Sequence, residues 1–123
     1  MVISNLKNET IITVFTPTYN RAHCLRRCYE SLKKQKNKQF QWLIIDDGST
    51  DGTEALVKQW QLEDNNFSIL YYWKENGGKY TAYNKAVELI DTELWICIDS
   101  DDWLEDNAIE TILSFWNKTG KIV

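Results

Sequence analysis

The stretch Glu93-Leu94-Trp95-Ile96-Cys97-Ile98-Asp99-Ser100-Asp101-Asp102 decides how the chain is read. Up to Ile98 it is short and largely apolar, which predicts a buried strand. The residues after it, Trp103 to Asn107, read as the start of a helix. Asp99, Asp101 and Asp102 therefore stand at the carboxyl end of a strand, the edge at which open α/β sheets bind ligands. Carboxylates crowded there repel one another and are costly to keep without a compensating cation or donor. The run is expected to hold a hard divalent cation, Mg²⁺ or Mn²⁺, which favours oxygen ligands. Either Asp101 or Asp102 would also be favourable as a cap at a helix start.

Upstream, the same alternation recurs. Ile11 to Phe15 is a β-branched apolar run and predicts a strand. Thr16-Pro17-Thr18-Tyr19-Asn20 is expected to end it, because Pro17 cannot continue a central ladder. Asn20 is a candidate N-cap for a helix from Arg21 to about Lys36. Its inward face would carry Cys24, Leu25, Cys28, Tyr29 and Leu32. Phe40 to Ile45 predicts the second strand, and Asp46 to Thr53 is turn chemistry. Asp51 or Thr53 can cap the next helix, whose apolar face is Ala55, Leu56, Val57 and Trp60. Phe67 to Tyr72 predicts the third strand and Glu75 to Lys79 a flexible loop. Tyr80 to Ile90 predicts a helix with Ala82, Ala86, Val87 and Ile90 on one face. Asn107 to Trp116 predicts the last helix, ended by Gly120, and Ile122-Val123 reads as the opening of a further strand. The pattern implies an α/β fold, a mostly parallel open sheet with helices on both faces. The stop inside a strand-like signal suggests part of something longer.

At 123 residues the chain is one domain or part of one. Its apolar content of 43%, with six Trp and six Tyr, suffices for a core. A net charge of −4 argues against nucleic acid or an anionic membrane as main partner. No apolar stretch approaches the roughly 20 residues that span a bilayer, and the N-terminus lacks a signal-peptide layout. Three cysteines, one in a core strand, fit a reducing, cytoplasmic setting. Cys24 and Cys28, with His23 beside them, lack the second Cys/His pair of a zinc site.

Three polar clusters, Thr16–Asn20, Asp46–Asp51 and Asp99–Asp102, follow three different strands, and a parallel sheet brings all three to one edge. Asp47 there can accept the N3–H of uracil or thymine, which cytosine lacks. Asp46 or Asp47 can instead cap the loop that follows. Asp99, Asp101 and Glu110 match three EF-hand positions, but Leu104 stands where that loop requires Gly. Asn76-Gly77-Gly78-Lys79 is no Walker or dinucleotide fingerprint. Lys79, at a helix start, can still neutralise a diphosphate. Asn84 is expected inward on that helix, either structural or touching a ligand, and Arg21 is either a phosphate contact or exposed.

Taken together these stretches resemble glycosyltransferase family 2, of the GT-A fold. The matching segments are Val14 to Arg21, Ile44 to Thr53, Asn76 to Lys79 with Ala82 and Asn84, and Ile98 to Asp102, in the family's order and spacing. The resemblance implies a nucleotide-sugar donor, most often a UDP-sugar. It implies a base pocket lined by Pro17, Thr18 and Asp47, and a nucleotide site drawing also on Tyr19, Arg21, Asp46, Lys79, Asn84, Asp99 and Ser100. Asp101, with Asp99 or Asp102, would be the Asp-x-Asp element on ribose and metal. Tyr83 departs from the family, which usually has Arg there. The family's acceptor site and general base lie after the point where this chain stops, so residues 1–123 would be the nucleotide-sugar-binding part of a GT-A domain.

The implied reaction is displacement at the anomeric carbon with inversion, metal-dependent, onto a hydroxyl of a carbohydrate, lipid-linked or protein acceptor. No catalytic base is assigned within the chain, which is expected to bind UDP with metal but not to transfer sugar. Any membrane association would come from the missing part. The alternative is a non-catalytic nucleotide-sugar-binding or protein-interaction module on the same fold. A phosphoacceptor signalling domain would need an Asp ending the third strand, where Tyr71-Tyr72-Trp73 stands. An Asp-x-Asp phosphatase would carry its pair after the first strand. Sugar, linkage and oligomeric state are not encoded in any motif.

Overall fold

The computed structural model describes residues 10–118. The helix end expected at Gly120 and the strand expected at Ile122-Val123 lie outside the described residues. Within them run β1 (Ile12–Thr18), α1 (Ala22–Lys33), β2 (Phe40–Asp46), α2 (Thr53–Leu62), β3 (Ser68–Trp73), α3 (Lys79–Leu89), β4 (Leu94–Cys97) and α4 (Ala108–Lys118). The strands form one all-parallel sheet in the order β3-β2-β1-β4. The expected α/β architecture, with helices on both faces, is what is found.

Side chains alternate across the pleat, so neighbouring residues of one strand serve different layers. Ile12, Val14, Trp42 and Ile44 face α1, α2 and α4 through Leu25, Tyr29, Leu32, Val57, Trp60, Ile109 and Leu113. Phe15, Leu43 and Ile45 face α3, which packs with Ala82 and Ala86. The larger core centres on stacked rings. Tyr29 lies 4.2 Å from Trp60, and Trp42 lies 5.9 Å from Trp60, all close to parallel. Thr16 Oγ1 accepts the Trp42 indole N–H at 2.9 Å, so that ring is buried without an orphan donor.

Alone on its face among the described helices, α3 covers only the sheet centre. Leu70, Tyr72 and Trp95, in register with Leu43, Ile45 and Thr13, stay exposed. Val87, expected inward, is 63% exposed, because α3 touches the sheet through its two alanines and turns Val87 away.

The strand expected to stop before Pro17 continues through Thr18. Backbone groups of a strand point to alternate sides. Phe15 O accepts Ile98 N–H on the β4 side, and Thr18 O accepts Asp47 N–H on the β2 side. Pro17 therefore turns its donor-less nitrogen toward β4, whose pairing ended at Cys97, so no ladder bond is lost. The cap of α1 differs as well. Asn20 adopts φ 51°, and Arg21 holds the cap position without a side-chain bond. The Ala22 N–H bonds instead to Asp51 Oδ2, from the loop after β2, at 3.1 Å. Asn20 Oδ1 in return accepts the N–H groups of Thr50 and Asp51, and Asn20 N–H reaches Ser49 Oγ at 2.8 Å. The loops after β1 and β2 thus cap each other.

The chain runs outward from β1 to β2 and β3 over one face. It then crosses the other face by α3 to reach β4 on the far side of β1. The carboxyl ends of β1 and β4 part at this reversal, which is where an open α/β sheet offers a crevice.

Candidate functional site

A cavity of about 440 Å³ opens at that reversal. β1 and its loop supply Pro17, Thr18, Tyr19 and Arg21, and β2 ends in Asp47. The loop into α3 supplies Asn76, Gly78 and Lys79, α3 adds Ala82, and Asp99, Ser100 and Asp101 close the β4 side. All three polar clusters singled out in the sequence therefore contribute. Tyr19 stands half-exposed at the rim, whereas Ser100 is buried.

Asp46 and Asp47, adjacent in sequence, separate by role. Asp46 is fully buried and structural. Its Oδ1 accepts the Ser49 N–H at 2.9 Å, which closes the turn after β2, and its Oδ2 accepts the Tyr71 hydroxyl. Burial pushes the Tyr71 hydroxyl far above the ordinary tyrosine range, and the Asp46 carboxylate adds to it. Asp47 faces the cavity, with both oxygens held by the loop before α3. Oδ1 accepts from Lys74 Nζ and Gly77 N, both at 2.9 Å. Oδ2 accepts from Gly78 N at 2.9 Å and Asn76 Nδ2 at 3.2 Å. Burial pushes the Asp47 carboxyl upward, but Lys74 and the two glycine N–H groups outweigh it and hold the carboxyl below the usual carboxylate range. Gly48 permits this closeness. It sits at φ +90°, and a Cβ on it would lie 2.8 Å from Asn76 N.

Thr18 is 4% exposed, and its Oγ1 has no hydrogen-bond partner among the described residues. Burying a hydroxyl unpaired costs about 1–3 kcal/mol. Thr18 is among the residues that line the cavity.

The acidic run is drawn together. Asp99, Asp101 and Asp102 each place a carboxylate oxygen so that all three lie within 4.8 Å of one another. The Asp102 N–H bonds Asp99 O at 3.0 Å, so the chain folds back on itself. Part of the negative charge is met by protein cations. Lys79 Nζ lies 3.0 Å from Asp99 and Arg21 Nη1 3.9 Å from Asp101, both pairs half-exposed. The hydrogen bond to Asp99 raises the Lys79 ammonium above its ordinary range.

Besides the buried Asp46, two further expected contributors lie apart from the cavity lining. Asn84, expected inward, is exposed on α3, because Ala82 and Ala86 take the sheet-facing stripe. Asp102 is also exposed, beside the cavity wall rather than in it. Lys74 was singled out by no sequence pattern. It follows β3 directly and donates to Asp47, to Glu75 O and to Thr81 Oγ1. Its only signal was a lysine just past a strand end, and that is too common to select one. Tyr83 packs edge-on against Phe15 at 5.2 Å, with its hydroxyl 3.2 Å from Cys97 Sγ.

Comparison with known proteins agrees with this fold. The model of glycosyl transferase family 2 matches residues 13–123. Glycosyltransferase GlyA of Streptococcus pneumoniae serotype 4 is 35% identical over 101 residues, 82% of this chain and 14% of that protein. Glycosyltransferase GlyG of the same organism is 31% identical over 102 residues, 83% of this chain and 34% of that protein. The crystal structure of residues 1–349 of S. aureus TarS in complex with UDP-GlcNAc superimposes with a TM-score of 0.81 at 26% identity, covering 89% of this chain and 32% of that one. The chain thus spans about a third or less of each of these proteins.

Proposed function

Because the chain belongs to glycosyl transferase family 2, we propose that it forms the donor-binding part of an inverting, metal-dependent glycosyltransferase that takes its sugar from a UDP-sugar. The observation that carries this reading is the shared cavity. Thr18, whose buried hydroxyl is unpaired among the described residues, the ionised Asp47 carboxylate, and Asp99 and Asp101 of the three clustered carboxylates all line it. The complex of TarS with UDP-GlcNAc supports the choice of donor.

Each residue has a task on this reading. Asp47, kept ionised by Lys74, accepts the uracil N3–H in exchange for its longest present bond, that to Asn76. Thr18 Oγ1 finds in the nucleoside the partner it lacks. Pro17 and Tyr19 flank the base, and Ser100 and Asp99 meet the ribose. Lys79 and Arg21 exchange their carboxylate partners for diphosphate oxygens. The clustered oxygens of Asp99, Asp101 and Asp102 suit Mn²⁺ or Mg²⁺, hard ions that take a few carboxylates together with phosphate oxygens. Such an ion supplies Lewis-acid stabilisation of the charge that grows on the departing diphosphate. An acceptor hydroxyl, on a carbohydrate, lipid-linked or protein acceptor, attacks from the opposite side. Its proton goes to a carboxylate outside these 123 residues, so the isolated chain binds donor without transferring sugar. Free thiols at Cys24, Cys28 and Cys97 fit a cytoplasmic setting. No helix among the described residues is long and apolar enough to cross a membrane.

Titration calorimetry of UDP into the chain, with and without Mn²⁺, tests the reading. Heat that depends on Mn²⁺ and disappears in Asp101→Asn is the expected result. Equal UDP binding with and without metal by a folded sample would remove the metal from the proposal.

A further inference from the structure

The acidic run is held at both ends, and one of its anchors lies in α1, far from it in sequence. Gln35, just beyond α1, is 1% exposed, which is unusual for an uncharged polar side chain of its length. Its Nε2 donates to Glu105 O at 2.5 Å and to Ser31 O at 3.1 Å. Its Oε1 accepts the Ile109 N–H at 3.0 Å, one of the donors left open at the start of α4. Ser31, also buried, donates to Cys28 O at 2.7 Å and accepts the Leu104 N–H at 3.1 Å. At the other end, Ile98 N–H joins Phe15 O in β1. The carboxylates of Asp99, Asp101 and Asp102 lie between these two fixed points.

We infer that Ser31 and Gln35 are positioning residues for the metal-binding carboxylates. This rests on the proposed reading of that run as a cation site. Three like charges held within 4.8 Å push one another apart. A free loop would relieve this by opening, and binding a cation would then have to close it again. Buried amide and hydroxyl bonds to the segment 104–109 remove that freedom in advance. The ion therefore meets oxygens already gathered, and loop ordering no longer subtracts from its affinity. Neither side chain reaches the carboxylates. The effect passes through the backbone of Leu104, Glu105 and Ile109.

The test is Mn²⁺ binding by the chain, read from the paramagnetic broadening of the Ser100 and Asp102 amide signals during a Mn²⁺ titration. The variants are Ser31→Ala, Gln35→Leu, Asp101→Asn and the control Val57→Ala. Val57 is buried in α2 within the larger core and its aliphatic side chain makes no hydrogen bond, so its loss weakens the fold without removing either anchor. Ser31→Ala keeps the helix and Gln35→Leu keeps the volume, so at least one stays folded. The expected result is roughly three- to tenfold weaker Mn²⁺ binding in Ser31→Ala and Gln35→Leu, with faster amide exchange at Leu104 and Ile109. Val57→Ala should lose thermal stability and keep its Mn²⁺ affinity. If Asp101→Asn abolishes binding while folded Ser31→Ala and Gln35→Leu bind as the parent does, the positioning role is overturned and the cation site stands. If Val57→Ala weakens binding as much as they do, the effect is general softening and the role is again overturned. If Asp101→Asn binds Mn²⁺ like the parent, the cation site itself is lost and the inference with it.

Discussion

At the scale of single residues, Thr18 and Asp47 give opposite signatures. Thr18 holds a buried hydroxyl without a partner, so removing it should cost the free protein little. Thr18→Val is expected to keep or slightly raise the melting temperature while weakening UDP binding about five- to tenfold, near 1 kcal/mol. Calorimetry and thermal unfolding of one preparation check both halves. Asp47 is the reverse case. Its folded carboxyl titrates below the usual range, so the stability it contributes is fully present above the unfolded value near pH 4. That stability is lost as pH falls through the folded value. Lys74→Met leaves a buried carboxylate without its cation and should cost about 3 kcal/mol at pH 7. The gap between parent and variant should narrow toward pH 3, as measured by urea unfolding across pH. The sequence placed Asp46 and Asp47 at the sheet edge and left open which of them closes the turn. It could not separate them, because the choice depends on Tyr71 reaching one and Lys74 the other. Tyr71 is set by the register of β3 against β2, which no local pattern encodes. Asn84 was misplaced for a related reason, since the small Ala82 and Ala86 take the sheet-facing stripe of α3.

At the scale of elements, the existence of each strand and helix was legible from apolar periodicity. The caps were less so. The run Tyr19-Asn20-Arg21 reads as a local helix start, yet the donor bond at α1 goes to Asp51, from another loop. Such exchange between loops is invisible to any window of neighbouring residues. Asp51 also accepts the N–H and hydroxyl of Thr53, so one side chain serves the starts of α1 and α2 together. Burial pushes its carboxyl upward, but those donors hold it below the usual range. Asp51→Ala should therefore cost more than a single cap, about 2 kcal/mol, near the upper end for such losses. Because Tyr19 and Arg21 flank the bridging Asn20, UDP affinity should fall as well. Denaturant unfolding and nucleotide titration would show whether the two losses occur together. Pro17 teaches a similar lesson. The rule that proline leaves a central ladder holds here, since the ladder on its nitrogen side has already ended. The sequence does not show which neighbouring strand is the shorter.

At the scale of the whole molecule, alternation of strands and helices was enough to expect a parallel sheet with helices on both faces. The order of the strands was not readable, because β4 pairs with β1, at the far end of the described chain, rather than with β3. The reversal that opens the crevice depends on that order. It also sets a sequence of events in time. Neighbouring segments meet quickly, while joining distant ones requires closing a long loop first. β1, α1, β2 and α2 are contiguous and share the larger core, whereas the four β4 pairings with β1 must await everything between them. Ile44→Ala is thus expected chiefly to slow folding, and Ile96→Ala chiefly to speed unfolding, in stopped-flow chevrons. The acidic run travels with β4. During synthesis, the wall proposed to bind the base would take shape before the carboxylates proposed to hold the cation, which would dock later onto a surface already built to receive them.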